Sequence, residues 1–204
     1  RLGNSGGLMW RRQSFNLIIS VIFVMFYGSV NSVFSAPLVH IGASSYSILG
    51  QSSLILSAEM DSKGPFGEDG RRHPAKTKWD LQWRFKQKEV NAQCVVDSVQ
   101  VSLGITHTKP VWRDKSEASK TLIDRWEAFE GALKVIQKHQ VDLAMMAASE
   151  VEEAVLGMTP QKTCEELETM VSAIVRNLKE KYRALKADYE SSTNYGRRVG
   201  LSLM

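Results

Sequence analysis

No dense block of lysine and arginine interleaved with aromatics occurs in the 204 residues, and the formal net charge is only +4. Nucleic acid is therefore a poor first reading, because binding a phosphate backbone needs concentrated cations. No internal repeat is visible, and no serine or cysteine nucleophile with a base partner stands out. Histidine is scarce, with four in the chain, and cysteine scarcer, with two. What is present, 43% hydrophobic and 24% charged residues, is the balance of a globular protein and not of a disordered one. The length suffices for one domain of ordinary size with its own core.

The N-terminal region, 1–36, reads as a targeting segment behind an upstream leader. Met9 is followed by the basic pair Arg11 and Arg12, an apolar core from Leu17 to Tyr27, and then small residues. That is the order of a secretory signal peptide, with Val33 and Ser35 suiting cleavage after Ser35. The rival reading is an uncleaved anchor over Leu17 to Ala36. The signal peptide is favoured because Gly28, Asn31 and Ser32 interrupt the apolar run after about eleven residues. Export would place the protein in the periplasm or outside the cell, or anchored in the inner membrane if the segment is kept. In an oxidising compartment Cys94 and Cys164 are most simply one disulfide; two buried free thiols are the alternative if the signal is not used.

Beyond the signal, "SSYSIL" is a short alternating segment, and "QSSLILSAEMDSKGP" reads as a helix capped by Ser52 or Ser53 and closed by Gly64 and Pro65. "TKWDLQWRFKQKE" alternates Trp79, Leu81, Trp83 and Phe85 with polar residues, and "AQCVVDSVQVSLGITHT" repeats that period, which predicts an antiparallel strand pair ended by Lys109 and Pro110. From Ser116 the period lengthens. Leu122, Trp126, Phe129, Leu133, Ile136, Gln140, Leu143, Ala147 and Val151 recur at steps of three and four, predicting one long helix to Leu156. Gly157 breaks it, Pro160 is placed as the first residue of a second helix, and the two helices should pack antiparallel. The expected fold is α+β: a small antiparallel sheet on a long two-helix hairpin, with 197–204 as a flexible tail.

Gln140 is the only polar member of the first helix's apolar stripe. A buried, unpartnered amide costs about 1 to 3 kcal/mol, so it needs a partner or a role. A satisfied core glutamine is the commoner explanation. His139 sits on the flank of the stripe, and His40, His73 and His107 fall in or near loops and strands. Each reads as a surface residue.

The succession "YSILGQSSLILSAEMDSKGP", "TKWDLQWRF", "CVVDSVQVSLGIT", "RWEAFEGAL", a cysteine after the helix and "DYESSTNYG" resembles a bacterial family of predicted secreted zinc-dependent proteases, otherwise classed as a domain of unknown function. The resemblance covers about 43–196 and implies a zincin-like fold with a helix carrying HExxH. That spacing puts two histidines on one helical face for zinc, with the glutamate activating the bound water. Here the corresponding positions hold Ile136, Gln137 and Gln140, and the position of a further family histidine holds Tyr195. Ile136 has no lone pair, Gln137 cannot take up a proton as a carboxylate does, and Gln140 and Tyr195 are poor zinc ligands beside imidazole. His139 cannot substitute, because Leu143 stands four residues on.

The resemblance therefore implies an exported, metallopeptidase-like domain without catalytic residues or a cofactor, kept as a binding or scaffold protein of the cell envelope for an unidentified envelope protein or peptide. The alternative is an active zinc-dependent peptidase with non-standard ligands. A hydrolase using Asp142, Glu150 and Glu152 is a weaker reading, since carboxylates on a helix's outer face are usually solvated. A third is a helix hairpin that binds a partner helix or a membrane surface through Met145, Met146 and Met158, although methionines at helical spacing are more often core.

Overall fold

A computed structural model describes residues 37–203. The expected signal segment, its cleavage point and the rival anchor lie outside the described residues. No helix among the described residues is long and apolar enough to cross a membrane.

The chain runs β1 (Leu38–Ile48), α1 (Ser53–Lys63), β2 (Lys76–Val90), β3 (Gln93–Trp112), α2 (Lys120–Leu156) and α3 (Cys164–Ser192), with short 3₁₀ turns at Lys115–Glu117 and Arg197–Val199. The result is the expected α+β fold, a small sheet packed on helices. β2 and β3 form the expected antiparallel hairpin, turned at Asn91 and Ala92, whose φ angles of 52° and 59° suit a two-residue loop that follows the strand twist. A bulge at Lys86/Gln87 shifts the register once.

Two expectations about the sheet are corrected. β1 begins at Leu38, well before "SSYSIL", and it pairs with β3 in parallel, so the sheet is mixed with order β1-β3-β2. β3 also continues past Pro110 to Trp112. Pro110 stands opposite Tyr46 of β1, beyond the Lys76↔Thr108 pair that opens the β2 ladder, so its missing N–H costs no bond to β2.

The helices follow their sequence signals closely. Ser52 caps α1 by accepting from the Ile55 N–H, and Ser119 caps α2 by accepting from the Leu122 N–H at 3.3 Å. α3 opens with a reciprocal box between Thr163 and Glu166. Pro160 is consequently not its first residue. The link runs on to Gln161, which exchanges backbone bonds of 2.8 and 2.9 Å with Cys94 before the cap. Beside that exchange the Cys94–Cys164 disulfide closes, tying the start of β3 to the first turn of α3.

Two apolar clusters hold the layers together. In the first, Leu81, Val101, Leu103 and Ile105 of the sheet meet Ala144, Ala147, Ala148 and Val151 of α2 and Leu167, Val171 and Val175 of α3. The run of alanines at α2's centre removes bulk where sheet and second helix both approach. In the second, Ile48, Leu56, Trp112, Trp126 and Phe129 pack with Leu201 and Leu203. Those two leucines are 3% exposed, so the segment expected as a flexible tail instead docks its apolar residues into the core.

Candidate functional site

Leu133, Ile136, Gln137 and Gln140 follow one another at helical spacing and present one face of α2. The end of α3 crosses that face with Tyr189 and Glu190. After α3 the backbone turns through Asn194 and Tyr195 at φ 49° and 53°, then Gly196 at φ 86°, and this reversal swings Tyr195 back over the helix. A Cβ on Gly196 would lie 2.5 Å from Ile136 Cδ1, so only glycine lets the turn approach α2 this closely. Ala75, Lys76 and Thr77, entering β2, close the remaining side. The cavity so enclosed is about 30 Å³.

The four residues singled out in sequence, Ile136, Gln137, Gln140 and Tyr195, all line this one cavity. His139 is not among its walls; its ring stacks on Tyr189 with centroids 3.8 Å apart. Gln140 is 2% exposed, and its Oε1 has no hydrogen-bond partner among the described residues. Glu190 is the cavity's only carboxylate, and it already accepts from the buried Lys186 at 2.6 Å.

Tyr195 is held from behind by His73, whose ring stacks on it at 3.6 Å and 17°. His73 is itself 7% exposed and lies 2.9 Å through Nε2 from Asp69 Oδ1, the geometry in which the ring N–H donates to the carboxylate. That bond, joined by the Arg71 N–H, holds the Asp69 carboxyl down at about 2 against the cost of its partial burial. Burial raises the Tyr195 phenol, and the nearby Asp69 charge adds to this. On the other side, Thr77 Oγ1 lies 2.9 Å from His107 Nδ1, whose ring is lowered first by burial and then by Lys109. His73 is thus a buried support of the site's wall and not a surface residue, His107 is half-buried behind Thr77, and His40 is exposed on β1. Sequence reasoning missed His73 because it sits in a glycine- and proline-rich loop without periodicity. The Lys186 and Glu190 pair was within reach, being an i,i+4 couple on the same helix.

A zinc ion does not fit the residues that line the cavity. Beside their apolar side chains they offer two amides, two phenols, two threonine hydroxyls, a lysine and a carboxylate engaged by a second lysine, with no imidazole or thiolate. Nor is there, among the described residues, a group of three or more histidine, cysteine, aspartate or glutamate side chains placed to hold a metal. The other candidates do not converge. Asp142 bonds Lys138 on the outer face, and Glu150 accepts from Lys181 at 2.7 Å and the Tyr182 hydroxyl at 2.6 Å. Glu152 is buried at 4% exposure. Met145 and Met158 pack against the first core cluster while Met146 is 59% exposed, so they form no common surface.

Residues 43–196 match the model of a family described as "Bacterial protein of unknown function (DUF922)". No curated protein and no solved structure matches the chain.

Proposed function

The chain belongs to that bacterial family of unknown function, and from this premise we propose that it is a non-catalytic, metallopeptidase-like binding domain of the cell envelope. One observation carries the reading. Ile136, Gln137 and Gln140 of α2 and Tyr195, more than fifty residues later, meet at a single cavity. These are the positions at which the resemblance to secreted zinc proteases puts a ligand pair, a general base and a third ligand, and a shared site requires them to converge. The chemistry at each has been exchanged. No lone pair is available at 136, no proton acceptor of carboxylate strength at 137, and an amide and a phenol stand where imidazoles would bind zinc.

The cell-envelope assignment is supported by the disulfide, since such bonds persist in oxidising compartments, and by the signal-like order of the first 36 residues. Metal analysis and a peptidase assay of the purified protein test the proposal together. The expected outcome is less than about 0.1 zinc per chain and no peptide cleavage with or without added zinc. Close to one tightly held zinc per chain, or cleavage that a chelator abolishes, overturns it.

A further inference from the structure

β2 is an outer strand of the sheet, so alternate backbone N–H and C=O groups along it have no strand partner. Lys179 of α3 donates to the Leu81 carbonyl at 3.1 Å, which shows that this residue turns its backbone away from β3. Counting back by twos, Trp79 and Thr77 turn theirs the same way. Between this edge and α3 lies a groove of about 280 Å³, an order of magnitude roomier than the cavity over Gln140.

Its walls carry Lys76, Lys78, Lys179, Arg183 and Lys186 against only two acidic residues, a concentration of positive charge in a chain whose whole excess is +4. Three of the five cations are engaged. Lys186 is held by Glu190 and by Glu68 at 3.7 Å, Lys179 by Leu81, and Lys76 by the Phe66 carbonyl at 2.7 Å. Lys78 and Arg183 have no acidic partner among the described residues. Trp79 also lines the wall, with its indole N–H buried and so not open to the groove. The open groups of the side chains are therefore cations, set beside a strand edge that offers main-chain bonds. That combination asks for a ligand with regularly spaced amides and negative charge.

We propose that this groove binds an extended, carboxylate-rich polypeptide segment, which adds to β2 as a strand and sets its acidic side chains on Lys78 and Arg183. The six residues 76–81 span about 20 Å, so a segment of about six residues fills the edge. This names the partner chemistry for the binding role proposed above and rests on it, but the groove and the cavity over Gln140 are separately testable.

The test is titration of the full chain with a labelled peptide of six consecutive glutamates, which presents carboxylates on both faces of an added strand, with two peptide controls that leave the protein untouched. The expected result is saturable binding, weakened at least about tenfold when every glutamate becomes glutamine and likewise when alternate amides are N-methylated. Arg183→Glu together with Lys78→Glu, both exposed and so not needed for folding, should cost at least about tenfold, while Arg176→Glu elsewhere on α3 changes affinity less than about twofold. Equal binding of the glutamine peptide, equal binding of the N-methylated peptide, or indifference to the double variant overturns the inference. Mass spectrometry of the bound peptide separates the two proposals. Cleavage would defeat the non-catalytic reading and leave the groove standing, whereas failure to bind defeats the groove alone.

Discussion

Replacing both cysteines, Cys94→Ala with Cys164→Ala, should cost about 4 kcal/mol of stability. The bond joins positions 70 residues apart. In the chain-entropy model, closing a loop of that size removes about 15 cal/mol/K from the unfolded state, or about 4.4 kcal/mol at room temperature. Little of the folded state should change in compensation. The paired backbone bonds between Cys94 and Gln161 remain, and so does the Thr163 cap that starts α3. Cys94 is 1% exposed, and alanine places no polar group there. With a urea dependence of about 2 kcal/mol per molar, the unfolding midpoint should fall by about 2 M, and the dependence itself should steepen as the unfolded chain expands. Urea titration followed by tryptophan fluorescence measures both. A midpoint shift below about 0.5 M would refute the reasoning, since it would mean that the linkage constrains the unfolded chain far less than its loop length requires.

Gln140→Met tests whether the buried amide is a cost carried by the fold. With Oε1 lacking a partner among the described residues, the variant should match the parent or exceed it by up to about 1 kcal/mol in chemical denaturation; a loss of more than about 1 kcal/mol would show that the amide is bonded. Asp69→Asn tests the support behind Tyr195. Because the folded carboxyl is held at about 2, below its unfolded value, its contribution is complete above about pH 4 and disappears as the pH falls toward 2. The difference in Tm between parent and variant should therefore be flat from about pH 7 to about pH 5 and shrink from there to about pH 2, and a difference that stays constant down to about pH 2 would contradict the assignment.

The elements that were legible in sequence are those whose signal is local. α2 and α3 announce themselves by apolar residues at steps of three and four, but their caps, Ser119 and Thr163, lie three residues beyond the Ser116 and Pro160 where the period and the proline suggest the starts. β2 and the first part of β3 show strict alternation. β1 was only half visible because it is an edge strand: positions 40–45 are all exposed, leaving no buried face to impose a period, and its parallel pairing depends on a partner sixty residues away. The docking of Leu201 and Leu203 was hidden for a related reason, since two leucines in a short glycine- and arginine-containing segment carry no periodicity. At the site, the helical spacing of Ile136, Gln137 and Gln140 could be read directly. The return of Tyr195 across α2 depends on a left-handed turn, and the wall supplied by Ala75, Lys76 and Thr77 depends on where β2 enters the sheet. The basic groove escaped notice because its charges come from β2 and α3, about a hundred residues apart in the chain.

On the proposed function, the cavity on α2 occupies the place of a zinc site whose chemistry has been exchanged. Isothermal titration of zinc into the quadruple variant Ile136→His, Gln137→Glu, Gln140→His and Tyr195→His tests it most directly. One zinc should bind per chain at micromolar affinity or tighter, on the order of 8 kcal/mol, with no binding by the parent protein under the same conditions. A folded quadruple variant that takes up no zinc would overturn the assignment of these four positions to a former metal site.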